Sequence, residues 1–408
     1  MNQKHIVHIN FSDDVGGAAI AAFRHCEAMR VNGIDATMLV ASKTRHSKSY
    51  IYSIFKRGTV AKIFNWTLAV YFAVLQRMLK APSLFSIPIF SYHISGLPLV
   101  KNADIIYIHW VSSSMLSTKE IERLAKMGKP IRWYLHDMNP ITGGCHHSFE
   151  CKNYFTGCQS CPHIKRFWGL NLARLQYSKR VKHWSKYKNV EIFTPSQWLA
   201  KCASNSQIWK DHRIVVFPNV IDTKKYSPIN KEFSKQLLRI DSHKKTILFG
   251  AAGINSPYKG WDYLQEALNK LDASKYECLI FGEESGAMKG ILKINSRFTG
   301  YLHDEYSLIL AYNAADVFVI PSLAENYPNV VMEAMSCGLP CVGFNVGGIP
   351  EQISHRKNGY IAEYKNSEDL AKGIKWVCDE ADYEYLCKNA RDFVVENADY
   401  SRYSQMEV

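Results

Sequence analysis

The sequence lacks an apolar run long enough to cross a bilayer. Its longest such segment, IFNWTLAVYFAVL at positions 63–75, has 13 residues, whereas a membrane-spanning helix needs about 20. A short apolar helix with aromatic residues and basic neighbours is either buried in a core or lies in the membrane interface. The sequence leaves both interpretations open. The flanking basic residues are Lys56, Arg57, Lys62, Arg77 and Lys80.

The sequence also lacks a recognisable secretory signal, an internal repeat and a low-complexity tract. The chain opens MNQKHIVHIN and enters a strand-like segment directly, which favours a cytoplasmic protein. In that setting the 11 cysteines are expected to be reduced thiols. A cluster of them is more typical of a metal site than of disulfides.

A long block of lysine and arginine is absent as well, although the chain is basic. It has 50 Lys+Arg against 37 Asp+Glu, a net charge of +13. Such an excess suits phosphorylated small molecules, an anionic membrane surface or nucleic acid. Because the charge is not concentrated in a block, we expect no nucleic-acid partner.

The 408 residues exceed one ordinary core, so two domains are expected. Strand-like and helix-like segments alternate in two series, which predicts two parallel α/β sheets. The predicted limits are 1–218 for the first domain, 219–390 for the second and 391–408 for a terminal helix that crosses back to the first. The first series of strands is predicted at 5–10, 36–42, 103–110, 130–137 and 190–196. The second is predicted at 245–253, 277–282, 298–302, 316–320, 340–344 and 358–363.

The most informative stretch runs from Pro321 to Glu351. It contains two turns from a strand into a helix, and ligand sites of open α/β sheets lie at such strand ends. Glu325 is predicted in the first loop and Glu333 inside the following helix. Two carboxylates at different depths can bind hydroxyl groups of one ligand while free amides at the helix N-terminus face its phosphate. Alone, a pair at this spacing also occurs by chance.

The run ENYPNVVMEAMSCGLPCV, followed by GGIPE, resembles the Glu-x7-Glu signature of the retaining nucleotide-sugar glycosyltransferases of family 4. The resemblance implies the GT-B fold, which has two Rossmann-like, doubly wound domains facing a cleft. It implies a nucleotide diphosphate sugar as the donor and no catalytic metal. It places Glu333 on the ribose, Glu325 on the sugar hydroxyls as a catalytic residue, and the amides around Asn329 and Val330 on the diphosphate.

Two further segments match the diphosphate-binding parts of this family. Gly16 and Gly17 follow the first strand and open a helix, where backbone amides can approach an anion. Lys259 ends a loop before a helix of the second domain, where its ammonium can neutralise a leaving diphosphate. The family pairs this lysine with an arginine five residues earlier, and here that position is Ile254.

His136 closes the strand-like segment PIRWYLHD (130–137). A histidine at the carboxyl end of a strand can orient a hydroxyl or act as a base, although any one of 15 histidines is more often structural. The resemblance places a histidine here beside the acceptor and the donor carbon, so we predict His136 as a catalytic residue. Asp13 and Asp14 are predicted as its neighbours.

The segment 142–165 forms a cysteine-rich insertion in the first domain. It contains Cys145, Cys151, Cys158 and Cys161, four of the 11 cysteines within 17 residues. The final Cys-x2-Cys followed by proline is typical of a zinc knuckle. We predict a structural zinc ion on the four thiolates; four reduced thiols in a polar insertion is the alternative, and two disulfides would be another if the chain were exported.

The sequence therefore predicts a retaining glycosyltransferase of the hexosyltransferase type. The cysteine-rich segment resembles a branch of the family linked to bacterial colanic acid, O-antigen, capsule and lipopolysaccharide synthesis. This implies a saccharide acceptor, lipid-linked or oligosaccharide, and a peripheral position on the inner membrane. A nucleotide-sugar epimerase of the same fold and a non-catalytic nucleic-acid-binding protein remain as alternatives.

Overall fold

The computed structural model divides the chain into two compact units. Unit 1 comprises Met1–Asn219 and Tyr403–Val408, and unit 2 comprises Val220–Arg402. The predicted domain limits, including a terminal helix from position 391, stay a prediction. The structure describes residues 4–54, 59–80, 84–88, 91–112, 114–165, 169–241, 243–251, 256–282, 292–302 and 304–405, with the backbone alone for 59–65, 72 and 251.

Unit 1 is built on a seven-stranded parallel sheet. Its strand order is β3-β2-β1-β4-β5-β6-β7, so the winding reverses direction between β1 and β4. The strands are β1 (Ile6–Ser12), β2 (Ala36–Ser42), β3 (Ile51–Ser53), β4 (Ile105–Ile108), β5 (Ile131–Tyr134), β6 (Val190–Thr194) and β7 (Ile214–Val216). The helices are α1 (Gly17–Val31), α2 (Thr59–Leu79), α3 (Pro98–Asn102), α4 (Thr118–Lys126), α5 (Leu172–Trp184) and α6 (Gln197–Ser204).

Unit 2 repeats this winding with six parallel strands. Its order is β10-β9-β8-β11-β12-β13, and the reversal lies between β8 and β11. The strands are β8 (Lys245–Ala251), β9 (Tyr276–Gly282), β10 (Asn295–Gly300), β11 (Val317–Ile320), β12 (Cys341–Phe344) and β13 (Gly359–Ala362). The helices are α7 (Lys231–Leu238), α8 (Trp261–Leu268), α9 (Glu305–Ala314), α10 (Asn329–Ser336), α11 (Ile349–Gln352), α12 (Ser367–Lys375) and α13 (Tyr383–Ala398).

Short-range signals explain where several helices begin. The Ser117 hydroxyl accepts a hydrogen bond from the Glu120 amide ahead of α4, and the Asp304 carboxylate accepts one from the Ser307 amide ahead of α9. Each bond satisfies an amide that the helix itself leaves unpaired. The strands β4, β11 and β12 are apolar throughout because helices cover both faces of a parallel sheet, whereas the central strand β1 also buries His8 and Asn10. The architecture of two doubly wound parallel sheets is therefore confirmed.

The apolar segment predicted at 63–75 lies within the longer helix α2. No described helix is long and apolar enough to span a membrane. Four large apolar side chains of α2 recur every fourth residue and are exposed, from 42% for Val70 to 67% for Trp66. They form an apolar stripe, whereas Leu68 and Leu79 of the same helix are buried in the core of unit 1. One face of α2 therefore packs in the core, and both interpretations of the sequence stay open. The stripe consists of Trp66, Val70, Val74 and Met78.

Candidate active site

In unit 2 the loops after β8 and β11 bring a cation and an anion together. The Lys259 ammonium donates a hydrogen bond to Glu325 Oε1 at 2.5 Å, and the Ser322 hydroxyl donates to the same oxygen at 3.2 Å. Both charged side chains are partly buried. β8 and β11 are neighbours at the point where the winding reverses, where open α/β sheets hold their ligands.

The charge of Lys259 is stabilised by its partner. Burial alone would lower the pKa of this ammonium, but the attraction of the Glu325 carboxylate outweighs burial and raises the pKa. Lys259 is therefore protonated at neutral pH and available to an anionic ligand. The family's second basic position, Ile254 in this chain, lies outside the described residues.

Two glycines allow the loops of this site to touch. Gly260 has φ +69°, and a Cβ on it would lie 1.8 Å from the carbonyl oxygen of Pro321. Gly347 has φ +59°, and a Cβ there would lie 1.8 Å from the carbonyl oxygen of Glu325. Any side chain would be strained by the backbone angle and would clash with the neighbouring loop. The Gly348 amide completes the contact by donating to the Glu325 carbonyl at 3.3 Å.

The predicted second carboxylate lies deeper than the first. Glu333 is on α10 and 4% exposed, and its Oε2 accepts a hydrogen bond from the Tyr312 hydroxyl at 2.8 Å. Burial and the nearby carboxylate raise the pKa of Tyr312 well above its usual value, so the phenol stays a donor. Asn329 is buried in the first turn of α10 and Val330 is half-buried beside it.

In unit 1 the predicted glycine turn connects β1 to α1. Gly16 caps the helix with φ +90°, and α1 begins at Gly17. The aspartates before the turn have a structural role: Asp13 accepts hydrogen bonds from the amides of Thr44 and Arg45, both at 2.8 Å. This contact connects the loop after β1 to the loop after β2, and the predicted proximity of Asp13 to His136 stays a prediction.

His136 follows β5 and belongs to a chain of three imidazoles, in which His8 and His109 are buried and His136 is half-buried. Its Nε2 lies 3.0 Å from His109 Nδ1, and His109 Nε2 lies 2.9 Å from His8 Nδ1. Burial lowers the pKa of His136 to about 4 and that of His8 to about 3, and it holds the pKa of His109 well below its usual value. All three rings are therefore neutral at pH 7. His109 and His136 also line a small cavity together with Trp110.

The next residue, Asp137, connects this edge to the cysteine-rich insertion. Its carboxylate accepts hydrogen bonds from Trp110 Nε1 at 2.8 Å and His146 Nδ1 at 2.6 Å. Burial would raise the pKa of Asp137, but His146 and further hydrogen bonds lower it overall. His146 Nε2 in turn accepts from the Ser86 hydroxyl at 2.8 Å. The hydrogen bond between His146 and Asp137 thus connects the insertion to the residue that follows His136.

The four predicted metal ligands line one small cavity. Cys145, Cys151, Cys158 and Cys161 surround it together with His163. Burial raises the pKa of Cys145 and of Cys158 to about 12, which keeps both as neutral thiols. Within the described residues no three histidine, cysteine, aspartate or glutamate side chains are arranged to hold a metal ion. The predicted zinc site is therefore not supported, although its cysteines converge.

The second unit matches a known protein family. Residues 230–393 match the family model described as glycosyl transferases group 1. This range contains Lys259, Glu325, Glu333 and the start of α10, which are the parts of the unit 2 site. Over this range, unit 2 is similar to the group 1 glycosyltransferases.

Individual relatives extend the match beyond unit 2. An uncharacterised glycosyltransferase, MJ1607 of Methanocaldococcus jannaschii, is 26% identical over 74% of this chain and 81% of its own length. The UDP-Gal:alpha-D-GlcNAc-diphosphoundecaprenol alpha-1,3-galactosyltransferase of Escherichia coli is 28% identical over 45% of this chain and 50% of its own length. The Anabaena protein HepE, solved with UDP and glucose, superposes with a TM-score of 0.62 at 16% identity, covering 98% and 97% of the two chains. The GT-B fold is thereby confirmed.

Several residues of the candidate site were not predicted from the sequence. His8 and His109 support His136, Met29 contacts His8, and Tyr312 binds Glu333. The sequence does contain an indication of the imidazole chain, because His8 lies within the first strand-like segment and His109 lies near the end of the third. Their contact, however, follows from β1 and β4 being neighbours, which spacing along the chain does not reveal.

Proposed function

We propose that the protein transfers a sugar from a nucleotide diphosphate sugar to a saccharide acceptor and retains the anomeric configuration. The observation that carries this proposal is the Lys259–Glu325 pair at the strand ends of unit 2. A cation for a diphosphate and a carboxylate for sugar hydroxyls are the two recognition groups such a donor requires. The similarity of unit 2 to the group 1 family supports transfer as the reaction. Retention is taken from the resemblance of the Glu-x7-Glu stretch.

The assignment of each residue follows its chemistry and depth. Glu333, buried and already bound by a tyrosine hydroxyl, is proposed to receive the ribose hydroxyls. Glu325, in the loop, is proposed to hold the sugar hydroxyls as a catalytic residue. The amides of Asn329 and Val330 lie at the positive end of α10, which favours a phosphate. Gly16 and Gly17 are proposed to contribute amides from unit 1 in the same way.

Lys259 supplies the charge that the reaction needs most. Breaking the bond between the sugar and the diphosphate leaves negative charge on the phosphate oxygens, and a cation fixed in a partly buried site stabilises it more than water does. The raised pKa of this ammonium keeps it charged throughout. His136 is proposed to meet the acceptor hydroxyl as a neutral imidazole. No catalytic metal is part of the proposal.

The acceptor is proposed to be a lipid-linked saccharide at the inner face of a bacterial membrane. The name of the E. coli galactosyltransferase, which specifies a diphosphoundecaprenol acceptor, supports this choice. The net charge of +13 and the exposed apolar stripe of α2 suit a peripheral position on an anionic surface.

In vesicle sedimentation, Trp66→Glu should weaken binding to anionic vesicles, whereas Tyr385→Glu, which changes an exposed tyrosine of unit 2, should not.

For the insertion we propose a structural zinc ion on Cys145, Cys151, Cys158 and Cys161. The support is their convergence on one cavity, and ligation would require the four sulfurs to close in on the ion. Zinc would exchange four thiol protons for metal bonds and so stabilise the fold. Metal analysis should find about one zinc per chain. A folded, metal-free protein with four titratable thiols would defeat this part of the proposal.

The decisive experiment is ligand-detected binding of nucleotide diphosphates and their sugars to the purified protein. We expect a clear preference for one nucleotide, lost in Glu333→Ala and kept in Glu396→Ala, which changes an exposed carboxylate of α13. Turnover of a nucleotide sugar without any acceptor would favour an epimerase instead. A folded sample that binds no nucleotide but binds RNA or DNA in a salt-dependent manner would support the nucleic-acid alternative.

A further inference from the structure

The small cavity beside His136 is also lined by residues of the unit 1 core. Its volume is about 20 Å³, which is room for one water-sized oxygen atom. Two of the residues that line it, Trp133 and Arg180, are each 2% exposed. Each has an N–H group without a hydrogen-bond partner among the described residues. Because a buried donor without an acceptor is unfavourable, a bound group that accepts hydrogen bonds is expected in this cavity.

The indole of Trp133 differs from its neighbours in this respect. Trp184 donates its N–H to the Thr118 carbonyl at 3.1 Å. Trp209 donates its N–H to the Pro140 carbonyl at 3.0 Å. Both rings pack edge-on against Trp133, with centroid distances of 4.9 Å and 5.4 Å. A buried indole N–H usually has an acceptor, so the N–H of Trp133 indicates a place for an acceptor from outside the protein.

Arg180 provides the second donor of this kind. Its terminal nitrogens donate to the carbonyl oxygens of Asn139 and Thr142 and to Asn139 Oδ1. These bonds fix the guanidinium and leave its Nε–H without a partner in the described part of the chain. The guanidinium carbon lies over the Trp184 ring, 5.2 Å from its centroid. Since Trp133 packs against the same ring, the two donors belong to side chains that share a neighbour as well as a cavity.

A neutral oxygen fits the charges of this cavity better than an anion does. Arg180 is positive, but the Asp137 carboxylate lines the same cavity and would repel an anion. Burial opposes the charge of Asp137, yet its partners lower its pKa overall. A carboxylate has about four acceptor sites, and Asp137 binds three donors, which are Trp110 Nε1, His146 Nδ1 and the Asn139 amide. About one site is left for the proton of a hydroxyl group.

We propose that this cavity binds one hydroxyl oxygen, which accepts hydrogen bonds from Trp133 Nε1 and Arg180 Nε. In the free protein this oxygen belongs to a water molecule. During sugar transfer a hydroxyl group of the saccharide acceptor replaces the water, because His136, proposed to meet the acceptor, lines the same cavity. Trp133 and Arg180 then help to determine which acceptors bind. The acceptor as the source rests on the proposed function, whereas the site for a hydroxyl oxygen does not.

A high-resolution crystal structure of the unmodified protein tests the site without any variant. We expect one ordered oxygen within hydrogen-bond distance of both Trp133 Nε1 and Arg180 Nε. An empty cavity would overturn the proposal.

NMR of the ¹⁵N-tryptophan-labelled protein identifies the source of the oxygen. Of the nine tryptophan signals, that of Trp133 is the one that disappears in Trp133→Phe. We expect magnetisation transfer from water to the Trp133 N–H, and none to the N–H of Trp209, which donates to a carbonyl and is the internal control. Methyl glycosides of glucose, galactose and N-acetylglucosamine are then added. A shift of the Trp133 signal with loss of the transfer identifies a saccharide hydroxyl.

Two other results of this experiment count against the proposal. Water transfer that persists with every glycoside would leave the site standing and overturn the acceptor as its occupant. A Trp133 signal with neither water transfer nor a response to any glycoside would overturn the site itself.

Trp133→Phe separates acceptor binding from a structural role. Phenylalanine keeps an apolar ring but removes the N–H, so the KM for the saccharide acceptor should rise about fivefold, the equivalent of one neutral hydrogen bond. The KM for the sugar donor should stay unchanged. The matched control is Trp209→Phe, which removes an indole N–H from the same cluster and should alter neither KM. An unchanged acceptor KM in Trp133→Phe would overturn the role of Trp133 in acceptor binding.

The two proposals fail in different ways. If the protein transfers no sugar but the ordered oxygen is found on Trp133 and Arg180, the proposed function is wrong and the hydroxyl site stands. If sugar is transferred but the cavity is empty, the hydroxyl site alone is wrong.

Discussion

The sheets of units 1 and 2 are wound in the same order, yet the loops at their reversal points carry different chemistry. Beside the reversal in unit 1 lie His109 and His136, which burial keeps uncharged. Beside the reversal in unit 2 lies a charged pair, Lys259 and Glu325. The same winding thus carries neutral imidazoles in unit 1 and a charged pair in unit 2.

The comparison indicates that this topology determines where a site lies, whereas individual side chains determine its chemistry. In both units the reversal opens a crevice at the carboxyl ends of two adjacent strands. In unit 1, rings stacked on neighbouring strands exclude water and remove charge. In unit 2, Gly260 and Gly347 allow the loops around the Lys259–Glu325 pair to touch. Both charged side chains stay partly exposed. Each prediction below changes one side of this comparison.

The largest effect is expected from removing the carboxylate of the unit 2 pair. Glu325→Ala should lower sugar transfer by about 10³-fold or more, because a group positioned at the reacting sugar is lost. Nucleotide binding should persist because Lys259 and Glu333 remain. Steady-state transfer assays together with nucleotide titration measure both effects. Glu396→Ala is the control, and wild-type turnover in Glu325→Ala would remove that residue from the mechanism.

Acid should destabilise unit 1 before unit 2. Burial lowers the folded-state pKa of His8, His25, His109 and His136, so below about pH 6.5 the unfolded chain binds more protons than the folded one. The stability from these neutral rings is complete above that pH. It is lost as the pH falls, at up to about 1.4 kcal/mol per pH unit for each histidine.

Hydrogen exchange at pH 7 and pH 5, resolved by peptide, measures this difference. Protection should fall in the strands of unit 1, whereas the described part of unit 2 buries no histidine and should change less. Unit 2 does contain Asp316, whose pKa is lowered by its lysine partners despite burial. That contribution is lost only below about pH 4. Equal loss of protection in both units at pH 5 would contradict the comparison.

A smaller effect separates two glycines with positive φ. Gly347→Ala in unit 2 combines an unfavourable backbone angle with a clash against the Glu325 carbonyl, and should cost about 3 kcal/mol of unfolding free energy. Gly33→Ala in unit 1 has φ +80° but no atom within 4 Å of its Cβ, and should cost about 1 kcal/mol. Chemical denaturation of both variants measures the difference. Equal losses of unfolding free energy in the two variants would mean that the loop at Glu325 moves away from the added Cβ without an energetic cost.

The sequence predicted most strands because buried parallel strands are uninterrupted apolar runs between turn residues. β2 was predicted at 36–42, the range that it occupies. Helix α5 was missed because basic and aromatic residues are distributed around it without an apolar face, and α7 was missed for its high charge. Helix α12 was predicted to reach position 379, but it ends at Lys375 and continues as one wider turn over Trp376–Glu380.

The sequence predicted which residues form the candidate site more completely than it predicted which of them contact each other. Lys259 and Glu325 were both named, but their pairing across 66 positions depends on β8 and β11 being neighbours. His136 was named from its place at a strand end, while its support by His109 and His8 depends on the alignment of three strands. Asp13 was predicted as a neighbour of His136 and that stays a prediction, whereas its hydrogen bonds to the amides of the loop after β2 were not predicted.

Under the proposed function, the pairing of Lys259 with Glu325 makes binding depend on two groups of the ligand at once, a phosphate and hydroxyl groups. In the absence of a ligand each charge satisfies the other. An anion alone that drew Lys259 away would leave the Glu325 carboxylate partly buried without its cation, and a sugar alone would meet a carboxylate already engaged. A molecule that carries both a phosphate and hydroxyl groups replaces both partners at once. Under the proposed function, the ion pair therefore favours a donor that carries both groups over a phosphate or a sugar alone.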